Sequence, residues 1–267
     1  MWSLNFISEE ALSAHVLRTI EQYGQRLHPF NLQRFNKNHI DPIKMIFDRA
    51  VYGLTWEELV KSEIFRQRDK ATNNDIGYFH QNIFSYFPHC RVPANGTQGG
   101  WDVIWEIPQG LTLPDGGAVH RVYVELKNKH NTMNSASAAK TYAKMQAQLL
   151  ADDDCACFLV EAISKRSQNI KWSVSLNGTK AEHRFIRRVS IDCFYDLVTG
   201  EENSFYRLCL VLPELIENML RQGSLPIPRD TVYQELCALK DREHISLTMA
   251  MLLLGFASYK GFPNRAL

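Results

Sequence analysis

Three ionisable residues stand in two neighbouring segments that are rich in β-forming side chains. Asp102 lies in the segment Trp-Asp-Val-Ile, and Glu125 and Lys127 end the segment Val-Tyr-Val-Glu-Leu-Lys. Because side chains alternate along a strand, Glu125 and Lys127 would share one face and the valines would occupy the other. Two converging carboxylates form a hard-oxygen site that suits Mg²⁺, and a lysine beside it could orient a water. These groups together suit the hydrolysis of a phosphodiester.

The spacing of Glu125 and Lys127 carries little weight by itself. With 29 acidic residues and 13 lysines in 267 residues, an acid-x-Lys triplet is expected about once by chance. A surface ion pair of Glu125 with Lys127 is therefore the alternative to a catalytic site. The placement favours the site, because another acid lies on the preceding strand and a polar stretch, 128–134, follows.

The charge of the chain is balanced overall but not along its length. Lys and Arg total 30 and Asp and Glu total 29, which gives a formal net charge of +1. Residues 121–188 hold 12 of these cations and 6 of the acids, a local charge of +6, and the remainder holds 18 and 23, a local charge of −5. A basic segment around a carboxylate site suits a polyanionic substrate, whereas a solvated face is the alternative for any single cation.

Periodicity and turn signals indicate the elements that would position these residues. Residues 101–107 and 119–127 are predicted strands, and the Pro-Asp-Gly-Gly of 114–117 is typical of a turn between them. An antiparallel pair joined in this way could bring Asp102 beside Glu125. The further elements downstream are a helix and three strands, at 134–150, 157–163, 171–176 and 185–191.

Helices are predicted before this region. Asp41 and Pro42 supply an N-cap and a first helical residue, and Gly53 ends that helix. Thr55 and Glu58 form a capping box for the next helix.

A third helix and a C-terminal helical region complete the prediction. Asn74 or Asp75 can cap a helix that ends at Pro88. His80 and Gln81 on this helix are expected to pack beside the site. From residue 194 onward the pattern is helical again, and its breaks are Gly200, Gly223 and the Pro-Ile-Pro of 226–228.

Several classes of function lack their sequence signatures. The chain has no GxGxxG, GxxxxGK[ST] or GxSxG motif and no HxE with CxxC, which argues against dinucleotide binding, P-loop hydrolysis, serine hydrolysis and zinc deamination.

The six cysteines show no CxxC pair, so we expect free thiols in a reducing cytosol. We recognise no signal peptide and no apolar run of roughly 18 residues, so we expect a cytoplasmic location.

At these residues the sequence resembles the PD-(D/E)xK nucleases, and more narrowly the type II restriction endonucleases that cut GGNCC-type sites. The segments that carry the resemblance are Gly-Trp-Asp-Val-Ile at 100–104 and Val-Tyr-Val-Glu-Leu-Lys-Asn-Lys-His-Asn-Thr-Met-Asn at 122–134. The likeness is strongest over 75–162 and continues weakly to the C-terminus through 190–200. Trp101 stands where the family pattern has proline, and since that proline is not a ligand, the difference has little consequence.

The resemblance implies a site and a fold. Asp102 and Glu125 would be Mg²⁺ ligands, the carbonyl of Leu126 a third ligand, and Lys127 the water-orienting group. The fold would be mixed α/β, with a restriction-endonuclease-like core in which helices flank a central mixed sheet. We expect a single domain over 1–267, whose N-terminal helical part, catalytic core and C-terminal helical part are 1–74, 75–192 and 193–267.

Candidate DNA contacts lie directly after the catalytic strand and among the cations of the basic segment. Guanine is best read by Arg or Lys, and the cytosine amine by acceptors. The sequence does not divide base contacts from phosphate contacts, and Asn134 could instead cap the following helix. The candidates are Lys129, His130, Asn131, Asn134, Lys140, Lys144, Arg184, Arg187 and Arg188.

The hypothesis from the sequence is a type II restriction endonuclease that hydrolyses double-stranded DNA with Mg²⁺ at a GGNCC-like palindrome and leaves 5′-phosphate ends. The resemblance also implies a homodimer, which would match a palindrome, and a cognate cytosine methyltransferase as genetic partner. Two alternatives stay open. One is a DNA-repair or junction-cleaving nuclease of the same superfamily, and the other is a DNA-binding module without catalysis.

Overall fold

The protein combines helices with one mixed sheet, as seen in a computed structural model that describes residues 2–94, 96–176, 178–223, 225 and 228–262. Within these ranges the helices are α1 (Glu9–Arg26), α2 (Leu32–Asn36), α3 (Pro42–Tyr52), α4 (Trp56–Asn82), α5 (Ser135–Ala151), α6 (Ile191–Thr199), α7 (Ser204–Gln222), α8 (Val232–Glu243) and α9 (Leu247–Phe256). The strands are β1 (Cys90–Arg91), β2 (Val103–Thr112), β3 (Ala118–Lys129), β4 (Cys155–Ile163), β5 (Asn169–Leu176) and β6 (Thr179–Ser190).

The chain forms two compact units. The first, here called the sheet unit, spans Met1–Ile20 and Asp75–Gly223. The second, here called the helical unit, spans Glu21–Asn74 and Ser224–Leu267. Helices α1 and α4 each contribute residues to both units. The division of one domain into three parts, expected from the sequence, stays a prediction.

Six strands of the sheet unit form one sheet in the order β1-β2-β3-β4-β6-β5. The pairs β1–β2, β2–β3 and β5–β6 are antiparallel, and the pairs β3–β4 and β4–β6 are parallel. A parallel pair needs a long crossover connection, and α5 supplies it between β3 and β4. The predicted mixed α/β fold with a central mixed sheet is confirmed.

The two faces of the sheet have different partners. On one face Val122 and Val124 of β3 join a core with Phe158 and with residues of α1, α6 and α7. On the other face Leu159 and Ile186 pack with α5. Because the side chains of β3 alternate, Glu125 lies on the face that α5 covers.

A tight turn joins β2 to β3, and the register near the site depends also on an irregularity within β2. The backbone nitrogen of Leu113 donates to the carbonyl of Gly117 at 3.0 Å, and Gly117 has a φ of 93°. A Cβ at Gly117 would lie 2.7 Å from the ring of Phe185, so only glycine fits there. An irregularity between Glu106 and Leu111 then shifts the register, so that Val103 lies opposite Val124. The predicted antiparallel pairing is confirmed.

The local capping signals of the helical unit are confirmed. The carboxylate of Asp41 accepts from the backbone nitrogen of Ile43 at 3.0 Å, and Gly53 ends α3 in a left-handed conformation. At the start of α4, the nitrogen of Thr55 donates to Glu58 at 2.8 Å, and the nitrogen of Glu58 donates to the Thr55 hydroxyl at 3.2 Å.

The predicted helix start at Asn74 or Asp75 is wrong, because both residues lie inside α4. Residues that favour helix starts can also satisfy their side chains within a helix by bonding to carbonyls a turn earlier. Asn73 does so, since its amide donates to the carbonyl of Asp69 at 3.0 Å. Between Trp56 and Asn74 the sequence has no Gly or Pro that would separate two helices.

The helical unit has its own apolar core, built from α2, α3, the first part of α4, α8 and α9. Phe35, Trp56, Val60, Leu236 and Met251 are among its buried members. The break predicted at 226–228 is observed only at Pro228, since Pro226 and Ile227 lie outside the described residues.

Two further expectations concern the cysteines and membranes. All six cysteines are free thiols, as predicted. In the part of the chain that the structure describes, every helix is too short or too polar to cross a membrane.

Two histidines of the sheet unit are held in surroundings that disfavour their charged forms. Burial lowers the pKa of His15, whose Nε2 lies 3.0 Å from the carbonyl of Phe79. Burial, followed by the nearby His15, lowers the pKa of His80 to about 4. These rings are therefore neutral in the folded protein at neutral pH.

We expect the free energy of unfolding to fall as the pH drops from about 6.5 to about 4. Folding lowers the pKa of His80, so the folded protein binds a proton at this ring less readily than the unfolded chain does. As the pH falls below the unfolded pKa, proton binding stabilises the unfolded chain, and the free energy of unfolding decreases. Between pH 7 and pH 5 this amounts to about 2 kcal/mol for His80. Urea unfolding of His80→Gln should show a smaller loss over this range than the unsubstituted protein; an equal loss would contradict the assignment.

Candidate active site

Asp102 is bound to the backbone of β3 on both sides of Glu125. The backbone nitrogen of Asp102 donates to the carbonyl of Val124 at 2.9 Å. Its Oδ2 accepts from the backbone nitrogen of Leu126 at 2.6 Å. These two bonds place the carboxyl of Asp102 beside Glu125, as the sequence predicts.

Glu125 is held by two lysines. Its Oε1 accepts from Nζ of Lys127 at 2.7 Å, and its Oε2 accepts from Nζ of Lys144 at 2.8 Å. Lys144 comes from α5 and also donates to the carbonyl of Gly100 at 2.8 Å. Its ammonium lies 4.0 Å from the ring centroid of Trp101, a cation–π distance.

The two carboxyl groups have opposite pKa shifts. Burial raises the pKa of Asp102, and the charge of Glu125 adds to the rise, although the Leu126 hydrogen bond opposes it. Burial also raises the pKa of Glu125, but the hydrogen bonds and charges of Lys127 and Lys144 outweigh it, so the net pKa is lowered. Glu125 is therefore ionised at neutral pH, while Asp102 is the more easily protonated of the pair.

The end of α4 contacts the residues of the site and the end of β3. Nε2 of Gln81 donates to the backbone carbonyl of Asp102 at 3.3 Å, and Gln81 is buried. A Cβ added at Gly77 would lie 3.3 Å from the side chain of Asn128, so α4 approaches β3 closely there. Gln81 thus contacts the site as well as packing beside it.

The donors at this site fit a hard divalent cation. Among the described residues, no group of three or more His, Cys, Asp or Glu side chains could hold a metal. An ion here would therefore depend on Asp102, Glu125 and a backbone carbonyl such as that of Leu126. Such an all-oxygen set suits Mg²⁺ better than zinc. The negative charge of Glu125 raises the pKa of Asp102, and a cation near both carboxylates would relieve this repulsion.

Comparisons with known proteins agree with this geometry. A family model described as the Eco47II restriction endonuclease matches residues 4–221. The chain belongs to the Eco47II restriction endonuclease family. The predicted enzyme class, a type II restriction endonuclease, is thereby confirmed.

Two curated relatives carry names of the same class. The chain is 27% identical over 225 residues to the type II restriction enzyme Sau96I of Staphylococcus aureus, a match that covers 81% of each chain. It is 27% identical over 228 residues to the type II restriction enzyme Eco47II of Escherichia coli, which covers 82% of this chain and 89% of that one.

In this Eco47II family member, some of the candidate DNA contacts at and after the end of β3 are exposed, and others bind the protein itself. Lys129, Asn131 and Lys140 are exposed. The Oδ1 of Asn134 accepts from the backbone nitrogen of Ser137 at 2.9 Å. Asn134 therefore caps α5, which is the alternative to a DNA contact that the sequence offers.

The three candidate arginines of β6 have different surroundings. Arg184 is exposed, and its guanidinium lies 4.7 Å from the ring centroid of Phe185. Arg187 is buried at 1% exposure, and its donors reach Asp115, the Asn169 side chain and carbonyl, and the carbonyl of Arg184. This burial indicates a structural role for Arg187 in place of the expected DNA contact.

Arg188 and His130 belong to a network around Glu161. Glu161 is fully buried on β4, opposite Lys127. Its carboxylate accepts from the guanidinium of Arg188 and lies 3.3 Å from Nδ1 of His130. The guanidinium of Arg188 also donates to the carbonyl of His130 at 3.1 Å. Arg188 and His130 therefore bind other residues of the protein, in an ion-pair network beside β3.

Lys144 and Glu161 are the residues whose place at the site the sequence does not predict, whereas Gln81 is expected beside it. Lys144 is predicted as a DNA contact and not as a partner of Glu125. The position of Lys144 could have been inferred from the helix that follows the strand of Glu125. A crossover helix must pack on a face of its sheet, so its side chains can reach residues of the strand. Nothing local marks Glu161, whose burial depends on the order of the strands.

We expect Glu161→Gln to lower the free energy of unfolding by about 2 kcal/mol, because it leaves the partly buried guanidinium of Arg188 without the buried carboxylate that it binds. Urea unfolding measures this change. The matched control is Glu182→Gln, which removes the exposed pair with Lys180, seen at 2.6 Å, and should cost less than about 1 kcal/mol. Equal losses in the two variants would show that the Glu161 network contributes nothing beyond a surface pair.

Proposed function

We propose that this chain is a Mg²⁺-dependent type II restriction endonuclease that cuts double-stranded DNA at a GGNCC-like palindrome and leaves 5′-phosphate and 3′-hydroxyl ends. The observation that carries the proposal is the anchoring of Asp102 to β3 on both sides of Glu125, with Lys127 bound to the same glutamate. The target sequence follows from the resemblance of the segments 100–104 and 122–134 to enzymes of that branch.

The reaction would use the chain's own groups in distinct roles. A divalent ion held by Asp102, Glu125 and the carbonyl of Leu126 would supply positive charge beside the scissile phosphate. Lys127 projects from the same face of β3 as Glu125, where its ammonium can donate to the attacking water and orient it toward phosphorus. The attacking water loses a proton to solvent as its oxygen bonds to phosphorus, and the bond from phosphorus to the 3′-oxygen breaks. The 3′-oxygen takes up a proton from solvent and leaves as the 3′-hydroxyl, and the phosphate stays on the 5′-carbon of the fragment downstream of the cut.

Lys144 acts as a positioning residue. It joins the carboxylate of Glu125, the carbonyl of Gly100 and the ring of Trp101, so it ties α5 to the segment that carries Asp102. A second ammonium in this place also adds a preorganised positive charge near the phosphate, and such charges contribute strongly to catalysis.

The exposed residues Lys129, Asn131, Lys140 and Arg184 are the best-placed candidates for DNA contacts in the sheet unit. A palindromic target favours a homodimer, in which each protomer cuts one strand. A cognate cytosine methyltransferase would protect the host DNA at the same target.

A digest of DNA of known sequence with Mg²⁺, followed by sequencing of the ends, tests the enzyme class, the target and the cut position together. We expect discrete fragments with 5′-phosphate ends. Cleavage restricted to branched or damaged DNA would select a repair or junction nuclease instead, and affinity without hydrolysis would select a DNA-binding module.

We expect Asp102→Asn and Lys127→Met to lower the rate of cleavage by at least about 10³-fold, which corresponds to about 4 kcal/mol of transition-state stabilisation. Plasmid cleavage measures the loss, and circular dichroism checks that both variants stay folded. Substantial cutting by a folded, purified variant would refute the assignment of that residue.

Replacement of Lys144 and of Lys140 separates positioning from DNA binding. Lys144→Met removes the bond to Glu125 and should lower kcat by about 10²-fold with little change in KM. Lys140→Met, one helical turn earlier on an exposed position, should raise KM and leave kcat unchanged. Steady-state cleavage kinetics give both constants, and a loss confined to KM in Lys144→Met would contradict its positioning role.

A further inference from the structure

The helical unit contains an open cavity of about 1270 Å³ whose lining is strongly basic. Five cations and a single carboxylate line it, together with five side-chain amides. The charged residues of the lining are Arg26, Arg34, Lys37, Arg68, Arg242 and Glu235. All belong to the helical unit, outside the basic segment that the sequence indicates.

The one carboxylate in the lining is engaged in local structure. Glu235 accepts from the backbone nitrogen of Leu32 at 3.0 Å, the first residue of α2, and also from the hydroxyl of Thr231. It therefore holds two helix starts together. Among the described residues, no acid lies within ion-pair distance of Arg34 or Lys37, so their charges remain available to a ligand.

Two of the arginines are held in place by one aromatic ring. The guanidinium groups of Arg34 and Arg68 lie 4.8 Å and 5.1 Å from the ring centroid of Phe30. Arg68 also forms a two-point ion pair with Asp230, at 3.0 Å and 2.7 Å. Side chains fixed in this way lose less conformational entropy when they bind an anion.

The size and charge of the cavity argue against a small-molecule pocket. Such pockets are usually about 300–1,000 Å³ and carry few polar groups, whereas this cavity is larger, open and lined by five cations. Cations and amides that face solvent together are typical contacts to the phosphates of a nucleic acid. A chain of the restriction endonuclease family meets duplex DNA as its substrate.

We propose that this basic cavity binds the phosphate backbone of duplex DNA, as a second DNA-contact site separate from the residues of the catalytic strand. The proposal rests on DNA being the substrate, as in the proposed function, and adds the helical unit to the DNA-binding surface. Arg34 and Lys37 donate to phosphate oxygens, and the neighbouring amides complete the contacts.

The test compares two double variants that change the net charge equally. Arg34→Gln with Lys37→Gln removes two cations of the cavity. Lys44→Gln with Lys61→Gln removes two exposed cations of the same unit that do not line it. Fluorescence anisotropy with a duplex that contains the target, in EDTA and at several salt concentrations, measures affinity, and thermal unfolding checks the fold.

We expect the cavity variant to bind DNA at least about tenfold more weakly than the unsubstituted protein at 0.1 M salt, and the slope of log K against log[salt] to fall by about 1.8. The control variant should bind as the unsubstituted protein does. Equal effects in the two variants, or no effect in the cavity variant, would overturn the proposal. Because Arg34 packs on Phe30, the single variant Lys37→Glu repeats the test without that contact.

Cleavage separates this proposal from the proposed function. With enzyme in excess over its dissociation constant and Mg²⁺ present, the control variant, Lys44→Gln with Lys61→Gln, should cut at the same single-turnover rate as the unsubstituted protein. A protein that binds DNA with the expected salt dependence but cuts nothing would refute the nuclease and leave the cavity assignment standing. Competition by poly-glutamate as effective as that by duplex DNA would overturn the commitment to DNA.

Discussion

The pairing of Asp102 with the backbone of β3 is the interaction on which the candidate site depends. Two backbone groups that flank Glu125 bind Asp102, one through its nitrogen and the other through its carboxylate. A shift of one residue would turn Glu125 to the opposite face of the sheet, into the core that holds Val124. The buried valines of β3 and the irregularity of β2 between Glu106 and Leu111 therefore fix the position of Glu125 as well as the fold.

The crossover from β3 to β4 supplies the second half of the site. Parallel pairing of these strands requires a connection that returns across the sheet, and α5 makes that return on the face of Glu125. Tyr142 and Met145 of α5 are fully buried against the sheet, so the helix has little freedom to rotate. Lys144 lies between them in sequence and reaches Glu125 and Gly100. A residue 19 positions from Glu125 thus becomes its direct partner through packing alone.

The parts of this molecule that can be predicted from sequence are those with local signals. Alternation along β3 and the Gly-rich turn indicate that β2 and β3 pair antiparallel, and Asp41 and Thr55 mark helix starts by their own side chains. The register that brings Asp102 to Glu125 depends also on the irregularity between Glu106 and Leu111, which no sequence signal marks. Long-range packing has no such signal. Arg187 looks like any surface cation of a basic segment, yet it is buried because Asp115 and Asn169 satisfy its donors.

Four charges meet at the strand of Glu125, two of each sign. Lys127 and Lys144 both donate to the glutamate, while the pKa of Asp102 is raised. Local neutrality of this kind removes the repulsion that a bare carboxylate pair would exert on an approaching phosphate. The two acids then impose no electrostatic barrier on the approach of a polyanion, whose rate is set by the basic surfaces around them.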